Sequence, residues 1–419
     1  MNSIASALPM DQTEPVSAAF APASAQERAQ WLDALRGFAL FGILLANILP
    51  FSGYVFRGLL PPVHHAWAAL DPMLEFLEHA LVEGKFYSLF SFLFGLGFAL
   101  QMRRAERSGV QALSMQKRRM AWLLVFGVAH AVLIWFGDIL STYAVFGFAL
   151  LWFRNLSQRA LLSCALAFLA SPVLVYLVYL AVGMNDPLAA APGLSPGEGL
   201  LAKLVNGVAN GSYADVVQSH TVFYGGGWVR RAVRLALPRI FGMFLLGVWA
   251  ARIGLPSARD AHRPLLRRVL LCGVAIGLPL NFAYAALGSG DALLPATLDG
   301  LLAIAAASIG IPLLCLAYAS AFALYWRRER QGSLLVAAGR VPLSHYLSQS
   351  VVCVTLFYGF GFGLFGRVSY GVALLIAVAV YLSLSWLARV WLRSHAHGPM
   401  EALWRRLSYG SVRGATAQG

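Results

Sequence analysis

The chain has 419 residues, of which 59% are hydrophobic and only 12% are charged, and its mean hydropathy of +0.68 excludes an ordinary soluble domain. Runs of about 20 apolar residues recur along the sequence, and each is long enough to cross the ~30 Å hydrocarbon core of a bilayer. A helix satisfies its own backbone hydrogen bonds in lipid, and the runs are too long and too uniformly apolar for barrel strands. We therefore predict an all-α integral membrane protein, a polytopic helical bundle.

The apolar runs predict about ten transmembrane helices. In chain order they cover residues 34–52, 80–102, 120–137, 139–153, 160–183, 235–251, 269–288, 298–325, 341–365 and 369–391. The loop at 103–119 is rich in Arg and Lys, which places it in the cytoplasm by the positive-inside rule. Alternation of the loops then places both termini in the cytoplasm.

The net charge of +14 follows the same alternation. Of the 32 Lys and Arg residues, 22 fall in the tails and the loops predicted to be cytoplasmic, six in the opposite loops and four within spans. This distribution indicates membrane topology rather than a nucleic-acid partner. Attraction to anionic membrane lipids is a sufficient physical reason for the charge, so lipids are the expected partners.

A single transmembrane domain is predicted over residues 31–410, between a disordered cytoplasmic tail at 1–30 and a disordered C-terminal tail at 411–419. The first tail lacks the apolar core of a signal peptide. The one large external loop, 184–234, has apolar residues at helical spacing in its middle. We expect one or two helices there, lying at the membrane surface.

A short amphipathic helix is predicted near the C-terminus. Pro399 suits a helix start, and Glu401 would lie in the first turn. We expect Leu403, Trp404 and Leu407 to lie against the membrane, with Arg405 and Arg406 directed toward lipid headgroups.

Polar residues inside the predicted spans carry the functional signal. A charge in the hydrocarbon costs at least ~2.5–3.5 kcal/mol on insertion scales, so an unused charge should not persist. Arg36 lies in the first span, and Asn47 follows it within about 20° of the same helix face. We expect both to contribute to substrate binding, with Arg36 as an anchor for an anionic group. Gly37 and Gly42 between them are explained by close helix packing.

Lys85 is a third predicted substrate-binding residue. It begins a stripe of Phe86, Phe90 and Phe94 at i+4 spacing, which indicates helix packing. The alternative for Lys85 is that its side chain snorkels to the external membrane surface.

His130 and Asp138 are the candidate catalytic residues. They lie eight positions apart, about 80° around a helix, so both can face one cavity without touching. A His beside a carboxylate is the usual general-base arrangement. The competing interpretation is an interhelical hydrogen bond for His130 and a turn-capping role for Asp138. His64 and His65, in the first external loop, are either solvated loop residues or alternative catalytic residues.

Several sequence blocks carry a family resemblance. They include LDALRGFALFGILLANI, EGKFYSLFSFLFGLGFALQ, GVAHAVLIWFGDILSTYAVFG and GPMEALWRRLSYG. In their order they resemble the YeiB-like family of bacterial polytopic inner-membrane proteins, which carries domain of unknown function 418. The resemblance covers about residues 30 to 410 and implies a multi-pass protein of the bacterial inner membrane. In the block SHYLSQS, His345 stands where the family more often has Asn.

The YeiB-like family is distantly similar to transmembrane acyltransferases, both the heparan-glucosaminide acetyltransferase type and the bacterial O-acyltransferases of envelope glycans. The shared feature is an early Leu-Arg-Gly, which here contains Arg36. The bacterial O-acyltransferases place a catalytic His where this chain has Asn47. The glucosaminide type has its His in the following external loop, where His64 and His65 are the positional equivalents.

The resemblance implies an enzyme that moves an acyl group from cytoplasmic acyl-CoA, the expected donor, to an envelope glycan or small acceptor outside. The alternative is a transporter or permease for a small metabolite, with the polar residues of the spans along its pathway. A purely structural membrane protein does not explain those residues. No metal is expected, because the four cysteines fall in apolar spans without metal-ligand spacing. The sequence leaves open the acceptor, the acyl group and a homo-oligomeric state.

Overall fold

The fold was determined as a computed structural model that describes residues 30–61, 68–107, 111–184, 199–233, 235–288, 296–326 and 333–409. These parts of the chain form sixteen α-helices and no strand, which confirms the all-α class. The predicted disordered tails lie outside the described residues, apart from Gln30, where the first helix begins.

The helices are numbered in chain order. They are α1 Gln30–Phe51, α2 Asp71–Leu81, α3 Lys85–Arg107, α4 Ala112–Leu133, α5 Leu140–Leu150, α6 Gln158–Ala181, α7 Leu200–Asn210, α8 Tyr213–Val233, α9 Ala236–Arg252, α10 Arg263–Cys272, α11 Leu278–Ala286, α12 Leu298–Tyr325, α13 Leu334–Arg340, α14 Pro342–Phe357, α15 Tyr370–Trp391 and α16 Pro399–Tyr409.

Six helical segments in the described parts are long and apolar enough to cross a membrane. They are Gln30–Leu59, Asp71–Arg107, Gln158–Ala181, Arg263–Ala286, Leu298–Tyr325 and Tyr370–Trp391. The other four predicted spans coincide with α4, α5, α9 and α14, which are shorter or more polar. The membrane class therefore rests on six segments, and the count of ten and the cytoplasmic termini stay predictions.

Glycines let the central helices approach closely. A Cβ on Gly37 would lie 2.0 Å from the backbone oxygen of Leu335 in α13, and one on Gly42 would meet the Phe86 ring of α3. The predicted packing role of these two glycines is confirmed. In α3, a Cβ on Gly95 would lie 2.0 Å from the Phe244 oxygen of α9, so these two helices pack backbone to backbone.

Helices α7 and α8, which come from the large loop predicted to be external, pack onto the bundle. Val208 and Phe223 are buried in its main core, and the Tyr213 hydroxyl donates a hydrogen bond to the Leu133 carbonyl at 2.7 Å. The prediction of one or two helices is confirmed for residues 199–233. Helix α8 covers the turn between α4 and α5, where the Phe223 ring lies 5.0 Å from the Phe136 ring between centroids.

The C-terminal helix α16 also packs against protein. The Trp404 indole donates to the Arg119 carbonyl at 3.0 Å, and the Arg119 guanidinium lies 4.1 Å from the Trp404 ring centroid. Glu401 accepts hydrogen bonds from the backbone N–H groups of Leu343 (2.6 Å) and Ser344 (3.0 Å) at the start of α14. The prediction that Trp404 lies against the membrane is wrong, because its N–H and its ring face both have partners on α4.

Candidate functional site

His130 and Asp138 form a buried hydrogen-bonded pair. Nδ1 of His130 lies 3.0 Å from Oδ1 of Asp138, and the two residues are 1% and 0% exposed. The last turn of α4 supplies the His, and the turn before α5 supplies the Asp. Placing a carboxylate beside one ring nitrogen fixes that nitrogen as the donor, so Nε2 carries the lone pair.

The local fold explains the pairing. Helix α4 ends at Leu133, where the His130 carbonyl accepts hydrogen bonds from the N–H groups of Ile134 and Trp135. The chain then reverses, and the Asp138 carboxylate caps α5 by accepting from the N–H groups of Leu140 (3.1 Å) and Ser141 (2.8 Å). Asp138 thus has the turn-capping role of the competing interpretation and the contact with His130 at once.

Gly127 permits this close approach. A Cβ at this position would lie 2.4 Å from the Ser141 nitrogen and 3.0 Å from Oδ2 of Asp138. Trp135 closes the turn from the other side, stacked on Phe51 of α1 with ring centroids 4.1 Å apart. The pair is therefore enclosed by packed side chains and by the start of α5.

Several buried atoms around the pair have no hydrogen-bond partner within the described part of the chain, and two of them bear on its chemistry. They are Nε2 of His130 and, on the Arg231 guanidinium from α8, Nη2. Arg231 also donates from Nη1 to the Asp138 carbonyl at 3.3 Å. A buried base nitrogen and a buried cationic donor without partners cost free energy unless a ligand satisfies them.

A cavity of about 800 Å³ opens at the end of the bundle where α3 ends and α4 begins. Its lining contains seven arginines, from five different helices: Arg36, Arg103, Arg104, Arg107, Arg119, Arg340 and Arg405. Asp33 and Glu401 are its carboxylates. The arginines outnumber the acids, so the cavity favours an anionic ligand.

The deeper wall of the cavity is apolar and leads to the pair. Phe90, Leu93 and Phe94 line it from α3. Leu140 also lines it, and the backbone N–H of Leu140 donates a hydrogen bond to the Asp138 carboxylate. Tyr346 also lines the cavity, and its ring centroid lies 5.2 Å from that of His130. One space therefore connects an arginine-rich mouth with the neighbours of His130 and Asp138.

The other predicted site residues are divided between this cavity and other parts of the bundle. Arg36 lines the cavity, paired with Asp33 at 2.6 Å. Asn47 is half-buried, one turn beyond Ile43, which is the last cavity-lining residue of α1. Asn47 is not part of the lining, and its substrate-binding role stays a prediction.

Lys85 lies in a different group, at the junction of α2 and α3. Its side chain is fully buried and donates from Nζ to the His79 carbonyl at 2.6 Å, so snorkelling to the membrane surface is wrong. Glu78 and Glu83 surround His79. Lys85 does not line the cavity and does not share a site with His130.

Of the other histidines that the structure describes, only His397 lines the cavity. His64 and His65 lie outside the described residues. His345 is buried, with Nε2 at 3.1 Å from the Ser385 hydroxyl, which is a helix-to-helix contact.

Sequence reasoning missed Arg231, Tyr346 and most of the cavity arginines. Arg231 belongs to a loop that was expected to lie at the membrane surface. Tyr346 comes from α14, remote in sequence from His130. The arginines of the loop at 103–119 were conspicuous in the sequence, but membrane topology was a sufficient explanation for them, so they did not indicate a binding cavity.

Comparisons with known proteins agree with the resemblance. A family model described as "Protein of unknown function (DUF418)" matches residues 250–411. The chain is 30% identical over 407 residues to the uncharacterised protein YxaH of Bacillus subtilis (strain 168), covering 93% of this chain and 96% of that protein. It is 29% identical over 412 residues to the uncharacterised protein YeiB of Escherichia coli (strain K12), covering 91% and 96%. The chain therefore belongs to the YeiB-like DUF418 family.

Proposed function

We propose that this chain is a multi-pass acyltransferase of the bacterial inner membrane that takes its acyl group from acyl-CoA. The observation that carries the proposal is that the arginine-rich cavity ends against Leu140 and Tyr346, which contact the buried pair of His130 and Asp138, although the pair itself does not line it. A donor with phosphates at one end and an acyl thioester at the other matches a cavity that is basic at its mouth and apolar inside.

The mouth of the cavity suits the phosphates. Guanidinium groups bind phosphate oxygens by paired, charge-assisted hydrogen bonds, and seven arginines line this space. Arg36 is the one that α1 supplies, one turn before the apolar lining residue Leu40. Along α3 the lining runs from Arg107 to Phe90, a rise of about 25 Å, so an extended molecule fits along it.

The pair supplies the base. Nε2 of His130 takes the proton from an acceptor hydroxyl or amine, and the acceptor oxygen or nitrogen attacks the thioester carbonyl. The carbon–sulfur bond breaks, and the CoA thiolate leaves and receives that proton. The Asp138 carboxylate stabilises the imidazolium formed in between. Arg231, with an unpaired buried N–H, is placed to stabilise negative charge that develops near the pair.

The test uses purified full-length protein, an acyl-CoA and a panel of envelope glycans as acceptors. His130→Asn keeps a side-chain N–H near the position of Nδ1, so it retains the contact with Asp138 and removes only Nε2. We expect it to lower the transfer rate by about 10²–10⁴-fold with acyl-CoA binding retained. His395→Ala, at an exposed His near the C-terminal end of α15, is the control and should keep full activity.

Two results would overturn the proposal. An undiminished transfer rate in His130→Asn would show that His130 is not the general base. Absence of acyl-CoA binding by the wild-type protein, together with flux of a small metabolite in proteoliposomes, would establish the transporter alternative instead.

A further inference from the structure

A second group of ionisable side chains lies outside the cavity, where α2 turns into α3. Glu78 and His79 end α2, and Glu83 lies in the turn. Nδ1 of His79 lies 3.0 Å from Oε2 of Glu78 and 2.9 Å from Oε2 of Glu83. One ring nitrogen therefore faces two carboxylates at once.

The two contacts have the distances of ion pairs, but their angles are poor for hydrogen bonds. None of the three atoms has a hydrogen-bond partner of acceptable geometry among the residues that the structure describes. A single N–H can at best be shared between the two carboxylates, and Glu78 is only 4% exposed, so water does not freely supply a second donor. A buried carboxylate oxygen aimed into the group without a donor calls for a ligand.

We infer that Glu78, His79 and Glu83 bind a divalent transition-metal ion. Their three donor atoms lie within 4.8 Å of one another. Two ligands at right angles on a metal, each at about 2.1 Å, are about 3.0 Å apart, which matches both contacts of Nδ1. One imidazole nitrogen and two carboxylate oxygens suit Mn²⁺, Fe²⁺ or Zn²⁺ and leave coordination positions for water.

The surroundings fit a bound cation in charge and access. The two glutamates neutralise a divalent ion. His79 and Glu83 are partly exposed, which gives the ion an entry path. Lys85 holds the His79 backbone carbonyl at 2.6 Å and so fixes the end of α2 that carries two of the ligands. Lys85 and Arg239 also place positive charge near Glu83, and they are the competitors of the metal for the carboxylates.

The site is tested by titrating chelator-treated, full-length protein in detergent with Mn²⁺, followed by electron paramagnetic resonance. We expect about one bound Mn²⁺ per chain and a higher Tm with Mn²⁺ present. Glu83→Gln removes one ligand charge at a partly exposed position and should weaken Mn²⁺ binding by at least 10- to 100-fold. Glu75→Gln is the matched control, because Glu75 lies on the same helix but pairs with Arg57.

A wild-type protein that binds neither Mn²⁺ nor Zn²⁺ at millimolar concentration would show that the group is an ion-pair network. Equal loss of Mn²⁺ binding in Glu75→Gln and Glu83→Gln would also overturn the site. If Glu83→Gln does not give monodisperse protein, His79→Gln makes the same comparison. Neither readout depends on acyl transfer, so the metal site and the proposed activity succeed or fail separately.

Discussion

At the scale of single residues, Asp138 has two functions that one substitution can separate. Its carboxylate caps α5 through two backbone N–H groups and accepts the hydrogen bond of His130. An Asn amide still caps a helix, but its NH₂ group presents a donor where His130 needs an acceptor. The other tautomer would then be selected, with its lone pair directed away from the substrate.

Asp138→Asn is therefore expected to lower kcat for acyl transfer by about 10²-fold or more, with a small change in KM for acyl-CoA. Steady-state kinetics on purified protein measure both constants, and the Tm reports whether the cap is retained. Asp299→Asn is the control, since Asp299 is an exposed first-turn residue of α12. An unchanged kcat in Asp138→Asn would contradict the orienting role.

At the scale of secondary-structure elements, the packing of α3 on α9 depends on the position of a glycine. Gly95 and Gly97 are two residues apart on α3. A Cβ on Gly95 would lie 2.0 Å from the Phe244 backbone oxygen, whereas one on Gly97 would meet nothing within 4 Å. The Phe244 backbone cannot move aside as the end of a flexible side chain can. Replacing glycine by alanine should therefore lower stability at Gly95 but not at Gly97.

Gly95→Ala is expected to destabilise the protein by about 1–3 kcal/mol through overpacking. Gly97→Ala should leave stability unchanged or raise it by up to about 1 kcal/mol, because Ala favours helix more than Gly does. Thermal unfolding of both variants in the same detergent is the measurement. Equal Tm values would show that the two helices are not held backbone to backbone.

At the scale of the whole molecule, the cavity supports the predicted topology. Residues of three loops that the basic pattern places in the cytoplasm, represented by Arg104, Ser257 and Arg340, line the same cavity. Those loops therefore lie at one end of the bundle. Arg405, from the C-terminal helix, lines the cavity as well, as expected for a cytoplasmic C-terminus.

Reporter fusions at residues 110, 260 and 335 should accordingly read cytoplasmic, and a fusion at 205 should read external. A phosphatase reporter active only outside and a fluorescent reporter active only inside give the two signals. A cytoplasmic signal at 205 would require a different number of crossings before α7 and would overturn the ten-span topology.

The amino-acid sequence alone predicts the all-α membrane class and names the candidates for chemistry. Uniformly apolar runs of membrane length form helices in lipid, so the helical membrane class follows from composition and spacing, while the count of ten spans stays a prediction. His130 and Asp138 were recognisable because polar groups within such runs are costly and rare. The resemblance to the YeiB-like family needed only the order of the sequence blocks.

Which of those candidates meet depends on how the helices pack. On a continuous helix His130 and Asp138 would lie about 80° apart, but the chain reverses after Leu133 and brings them to 3.0 Å. Tyr346 and Arg231 join them from helices far along the sequence, and Lys85 is held away beside His79. Helical periodicity fixes which face a residue occupies on its own helix, whereas the contacts of that face depend on how the helices pack.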